Sequence, residues 1–189
     1  MRVGVAAVVP AAGQSTRFGT MKLLADVGGA PLLERTLASL LDAGVARVVV
    51  VTRAGEAFEA VPSMADPRVT VSVNPDPARG MFSSIQAGCA AAAGGDPLLV
   101  LPGDMPFVRS RTVAAVLAKY AEAGHVVSPR HEGRRGHPIA LTPAMQTQIL
   151  NADAGMTLNV LLKSCNPPRA YADVDDPGIV RDVDRREDL

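Results

Sequence analysis

The segment Pro10-Ala11-Ala12-Gly13-Gln14-Ser15-Thr16-Arg17-Phe18-Gly19-Thr20-Met21-Lys22 follows a strand-like apolar run, Val3–Val9, and ends on a lysine. Small residues leave backbone N–H groups open to a ligand, and Gly13 and Gly19 permit turns that a Cβ would forbid. Ser15 adds a hydroxyl, and Arg17 and Lys22 add fixed positive charge. A loop of this kind fits a polyphosphate, whose oxygens take N–H donors and cations together. The second chemical feature is Leu101-Pro102-Gly103-Asp104-Met105-Pro106. An aspartate placed directly after a buried strand is a hard oxygen ligand suited to Mg²⁺, with Mn²⁺ as its substitute.

Three further segments carry polar groups at places where chemistry is plausible on spacing alone. Gly80-Met81-Phe82-Ser83-Ser84-Ile85 opens a helix, and Ser83 or Ser84 is placed to cap it. Arg134-Arg135-Gly136-His137-Pro138 sets two cations beside a glycine turn, which suits an anionic group. The tail, Arg181-Asp182-Val183-Asp184-Arg185-Arg186-Glu187-Asp188-Leu189, gathers several carboxylates. Asp173, Asp175 and Asp176 read as turn residues.

The elements that must position these groups follow from periodicity. Apolar runs at Val3–Val9, Arg47–Thr52, Val69–Val73 and Pro97–Leu101 have the length and β-branching of strands buried on both faces of a parallel sheet. His125–Pro129, Pro138–Leu141 and Arg169–Val174 are weaker strands. Pro31–Leu41, Ser83–Ala93, Arg111–Ala123, Pro143–Leu150 and Thr157–Leu162 read as helices, and residues 179–189 as a last short element. The alternation predicts an α/β three-layer, Rossmann-like and mostly parallel sheet over one domain, residues 1–189. On such sheets ligands bind outside the carboxyl ends of the strands, where the glycine loop and the Gly103-Asp104 turn both fall.

Composition narrows the function. Lys+Arg and Asp+Glu both number 19, so no global field favours nucleic acid or an anionic membrane, and any phosphate binding must be local. Aromatics at 3% argue against base stacking on single strands. Two cysteines, Cys89 and Cys165, form neither a disulfide framework nor a metal-finger spacing, in keeping with a reducing cytoplasm. No apolar run has the ~18 residues of a membrane span. The valine-rich start reads as a first strand instead of a signal segment.

The loop from Pro10 to Lys22 closely resembles that of the nucleotidyltransferases that load CMP or GMP onto molybdopterin. They belong to the larger nucleotide-diphospho-sugar transferase group. Gly-Met-x-Ser-Ser and Gly-His-Pro resemble segments of the molybdenum cofactor cytidylyltransferases, and the tail resembles their Asp-Ile-Asp-Thr-Pro-Glu-Asp-Leu. Three departures stand out: Phe82 replaces a serine, Arg185-Arg186 replaces Thr-Pro, and Asp153-Ala154-Gly155-Met156-Thr157 lacks an arginine usual there. The resemblance implies that Arg17 and Lys22 are catalytic. It implies that Ala11, Ala12, Gly13, Ser15, Asn74, Ser84 and Gly103 bind the nucleotide. It implies that Arg135 and His137, with Arg134 as an alternative, meet the acceptor. It implies that Asp104 and Asp184, with Asp182 in reserve, hold the metal. It also implies CTP over GTP, because cytidylyl enzymes carry Ala-Ala-Gly where guanylyl enzymes carry a second glycine. The acceptor would be molybdopterin-like and the eventual recipient a molybdenum hydroxylase. Transfer to a sugar phosphate, a guanylyl-type transferase and a non-catalytic molybdenum cofactor carrier are the rival readings.

Overall fold

The computed structural model describes residues 4–13, 21–56, 58–92 and 97–189. Ser15 and Arg17 lie outside the described residues. The strands are β1 (Ala6–Pro10), β2 (Arg47–Thr52), β3 (Val69–Val73), β4 (Leu98–Val100), β5 (Val127–His131), β6 (Arg134–Arg135), β7 (Ile139–Leu141) and β8 (Ala170–Asp173). The helices are α1 (Leu32–Asp42), α2 (Met81–Ala92), α3 (Ser110–Ala123), α4 (Pro143–Leu150) and α5 (Leu158–Lys163). One mixed sheet runs in the order β3-β2-β1-β4-β7-β5-β6, with β8 added to β5. β3, β2, β1 and β4 are parallel. β7 runs antiparallel to both β4 and β5, whereas β8 is parallel to β5.

Alternation along the central strands divides the core. Ala7, Val9, Val48, Val50, Leu99 and Leu101 face one layer, which α1 and α3 cover. Ala6, Val8, Val49, Val51, Leu98 and Val100 face the other, covered by α2, α4 and α5. Leu33, Leu37 and Leu40 of α1 are wholly buried, and each such burial contributes about 1.5–3 kcal/mol. This two-sided cover is why β1, β2 and β4 read as continuous apolar runs.

β3 departs from that expectation. It ends the sheet, and Val71 and Val73 remain 54% and 50% exposed. β-branching marks a strand, but its cover depends on its place in the sheet order, which the local sequence does not carry. α2 also starts two residues earlier than expected, at Met81. Ser83 Oγ donates to the carbonyls of Gly80 and Asp76. Among the described residues no helix is long and apolar enough to cross a membrane.

Candidate active site

The carboxyl ends of β1 and β4 meet at the site. Ala11 N donates to Val51 O at 2.8 Å and Gly103 N to Pro10 O at 3.0 Å, so Ala11 and the Asp104 turn continue neighbouring strands. Gly103 lies behind the surface. A Cβ there would stand 3.2 Å from Pro10 O and 3.4 Å from Leu33 Cδ1. Its carbonyl accepts from Thr36 Oγ1 at 3.1 Å. At Gly13 the opposite holds: an added Cβ would meet no atom of the described residues within 4 Å. The backbone there faces open space in a cleft of about 510 Å³, lined among others by Ala12, Gly13, Lys22, Ser84, Asp104 and Asp184.

Lys22 joins the two carboxylates. Its Nζ lies 2.9 Å from Asp104 Oδ2 and 3.2 Å from Asp184 Oδ1, across sequence separations of 82 and 162 residues. Desolvation works to lower the Lys22 ammonium, but the charge and hydrogen bonds of Asp104 and then of Asp184 outweigh it, and its pKa lies above the ordinary lysine value. Burial pushes the Asp104 carboxyl above the ordinary aspartate range. Lys22 opposes that shift and Asp182 adds to it. Asp182 is exposed and is absent from the cleft wall.

The tail is placed by a buried carboxylate that sequence reasoning passed over. Asp176 is 1% exposed. It accepts from Thr112 Oγ1 at 2.6 Å, Arg109 N at 3.0 Å and Gly178 N at 3.0 Å. From this anchor the chain passes beneath Gly136, where a Cβ would collide with Ile179 O. His137 N donates to the same oxygen at 3.0 Å. Val183 N then donates to Asp104 O at 2.9 Å, which brings Asp184 over the cleft. Asp188 Oδ2 closes the tail by accepting from Asp184 N and Arg185 N. A short 3-10 turn, Arg186–Asp188, therefore forms without the usual Thr-Pro.

Ser84 lines the cleft and is backed by Asn74. Asn74 is 2% exposed, and its Nδ2 donates to Ser83 Oγ at 2.8 Å and Ser84 Oγ at 3.0 Å. Ser84 reaches the cleft, whereas Asn74 stands behind it. Across Gly80 and Met81, which border both spaces, opens a second cavity of about 860 Å³. Arg135 and His137 lie on its wall, apart from the first cleft. Burial, reinforced by the charge of Arg169, pushes the His137 imidazole down to about 4, so it is neutral at pH 7.

Among the described residues no group of three or more His, Cys, Asp or Glu converges on one point. Asp104 and Asp184 nevertheless share a cation in Lys22 Nζ. Two carboxylates aimed at one positive charge suit a hard divalent ion that draws its remaining ligands from water and substrate phosphates.

The chain belongs to the MobA-like NTP transferase domain family, whose sequence profile matches residues 7–170. It is 32% identical over 179 residues to the bifunctional protein GlmU of Dinoroseobacter shibae, covering 90% of this chain and 39% of that protein. It is 31% identical to 2-C-methyl-D-erythritol 4-phosphate cytidylyltransferase of Rhodococcus opacus, covering 88% of this chain and 70% of that protein. It is 27% identical to a probable molybdenum cofactor guanylyltransferase of Thermococcus sibiricus, over 64% of this chain and 58% of that protein. The chain spans only 25% to 39% of the length of the GlmU relatives. Among solved structures, a nucleotidyl transferase from Methanothermobacter has the same fold, with a TM-score of 0.79 at 24% identity over 98% of this chain and 94% of that one. So does a Mycobacterium tuberculosis protein in complex with manganese, with a TM-score of 0.74 at 20% identity over 98% and 95% of the two chains.

Proposed function

We propose that this chain is a metal-dependent nucleotidyltransferase that moves a nucleoside monophosphate, CMP by preference, from its triphosphate to the phosphate of a molybdopterin-type acceptor. Pyrophosphate is released. The observation that carries the reading is the Lys22 ammonium held between Asp104 and Asp184 in a cleft that the Ala11-Ala12-Gly13 backbone also lines.

The Ala11-Ala12-Gly13 backbone, Ser84 and the Asn74 side chain behind it read the base, and Ser15 adds a hydroxyl for the nucleotide. Gly103 keeps the Asp104 turn against the loop. Arg17 and Lys22 hold the triphosphate oxygens. Asp104 and Asp184 would hold Mg²⁺ or Mn²⁺, and the bound ion supplies charge neutralisation at the phosphates. The acceptor sits in the second cavity beside Arg135 and His137, and its phosphate approaches across Gly80–Met81. That phosphate is already ionised near neutral pH, so no general base is required, and positioning is the main contribution. His137, neutral and desolvated, acts as a hydrogen-bonding wall.

CTP preference rests on Ala12, which lines the cleft and is 5% exposed. Its methyl leaves room for a pyrimidine and crowds a purine. The relation to a cytidylyltransferase at 31% identity supports this choice of nucleotide and favours one second reading, transfer to a small polyol phosphate. The test is mass-spectrometric identification of the product after incubation with CTP or GTP and either molybdopterin or 2-C-methyl-D-erythritol 4-phosphate. A CMP–molybdopterin adduct is expected. A CMP adduct of the polyol phosphate alone selects the second reading, and a GMP adduct overturns the preference for CTP.

A further inference from the structure

The second cavity concentrates positive charge that no carboxylate answers. Arg79, Arg135, Lys163 and Arg169 all line it, and among the described residues no aspartate or glutamate does. Elsewhere Lys22, Arg68, Arg109, Lys119, Arg130 and Arg185 each meet an acidic side chain. None of the four cavity cations forms an ion pair among the described residues. The Arg79 guanidinium donates to the neutral Gln86 Oε1, at 3.0 Å. Arg135 and Arg169 lie 5.8 and 5.6 Å from the Tyr171 ring centroid. Arg169 donates to Ser128 Oγ at 3.3 Å, while its buried Nε has no hydrogen-bond partner among the described residues. In a chain of zero formal net charge, four like charges around one concave space are a local arrangement. Their mutual repulsion is relieved when an anion enters, and low-dielectric walls strengthen that attraction. The walls include Phe82 and Met156, so part of the occupant is apolar.

We propose that this cavity takes a small acceptor with anionic groups at two or more separate points on an apolar body, and that Lys163 and Arg169 bind the anionic group remote from the transferred phosphate. The inference rests on the transferase reading for the name acceptor, not for the binding itself. Lys163 ends α5 and Arg169 leads into β8; neither borders the nucleotide cleft. They supply the positive charge that the segment Asp153–Thr157 does not, since that segment contributes Ala154, Gly155, Met156 and Thr157 to the same wall and no cation. Arg79, next to Gly80 at the border between the two spaces, meets the phosphate that reacts.

The test uses the full chain and two fluorescent probes, a pyrene monosulfonate and a pyrene trisulfonate, titrated with and without saturating CTP and Mg²⁺. The trisulfonate should bind about tenfold tighter than the monosulfonate, or roughly 1.4 kcal/mol, and CTP should not displace it. Lys163→Gln, on an exposed side chain, and Arg169→Gln should each remove most of that advantage. CTP affinity measured by calorimetry should stay within about twofold. Equal affinity for the two probes, displacement by CTP, or no effect of Lys163→Gln would overturn the proposal. A protein that prefers the trisulfonate yet binds no nucleoside triphosphate keeps this inference and refutes the transferase reading.

Discussion

Val183 N donates to Asp104 O at 2.9 Å, and this single bond stitches the C-terminal segment onto the turn that carries the buried carboxylate. The consequence is positional. Asp184 follows directly, and its carboxylate reaches the same ammonium that Asp104 holds. The site is therefore assembled from the first loop, the turn after β4 and the tail, and each depends on the others for its geometry.

Lys22 Nζ occupies both carboxylates, so a metal held by Asp104 and Asp184 would have to compete with it. Lys22→Met should raise the affinity of the nucleotide-free protein for Mn²⁺ by several-fold, because it removes the cation between Asp104 and Asp184. It should also cut turnover by on the order of 10²–10³ through loss of a charge contact in the transition state. Mn²⁺ titration by electron paramagnetic resonance and steady-state kinetics read the two effects separately. Weaker Mn²⁺ binding in the variant would show that the two carboxylates do not form the ion site.

Asp184→Ala should weaken Mn²⁺ binding about tenfold or more, and Asp104→Asn further, since a neutral amide is a poor ligand for a hard cation. Asp182→Ala should change it little, because that side chain stays outside the cleft wall. If Asp182→Ala is the more damaging tail variant, the second ligand has been misassigned.

Asp176→Ala leaves three donors from Thr112, Arg109 and Gly178 without their acceptor. Each buried donor so orphaned costs about 1–3 kcal/mol. Urea unfolding should register a loss of at least ~2 kcal/mol, and Mn²⁺ affinity should fall although Asp176 touches no cleft residue. Unchanged Mn²⁺ affinity in the folded variant would separate the tail anchor from the site.

His137 ties stability to pH. Its folded pKa of about 4 lies below the ordinary 6.5. Between these values the unfolded chain takes up a proton that the folded chain refuses. Stability is therefore complete above about pH 6.5 and falls as pH drops toward 4, by up to on the order of 3 kcal/mol. His137→Gln should flatten that part of the curve in urea unfolding. Parallel wild-type and variant curves between about pH 4.5 and 7 would contradict the assignment.

Ala12→Gly should narrow the CTP:GTP ratio of kcat/KM, by a change worth ~1–3 kcal/mol, since one methyl group carries no more. A ratio left unchanged would place base selection elsewhere, with the Gly80–Ser84 segment next to be tested.

The sheet was legible because two-sided burial writes itself as unbroken runs at β1, β2 and β4. The same rule misread β3, whose exposure follows from being last in the strand order. Lys22 and Asp104 were legible because local grammar marks them: a glycine loop after one strand and a Gly-Asp turn after another. Asp176 was not, since Asp173, Asp175 and Asp176 are equivalent turn residues until the fold brings Thr112 and Arg109 to one of them. Lys163 and Arg169 carry no motif at all. They meet only where α5 and the start of β8 close around the second cavity.

The central claim is attack on the α-phosphorus of a nucleoside triphosphate by an acceptor phosphate. Two parallel incubations test it most directly, with CTP radiolabelled at the α-phosphate in one and at the γ-phosphate in the other. Both include Mg²⁺ and a molybdopterin-containing acceptor preparation. The α-label should move to the acceptor and the γ-label should appear in pyrophosphate, in equal amounts and only when acceptor is present. Release of the γ-label as orthophosphate, or its transfer to the acceptor, would contradict it.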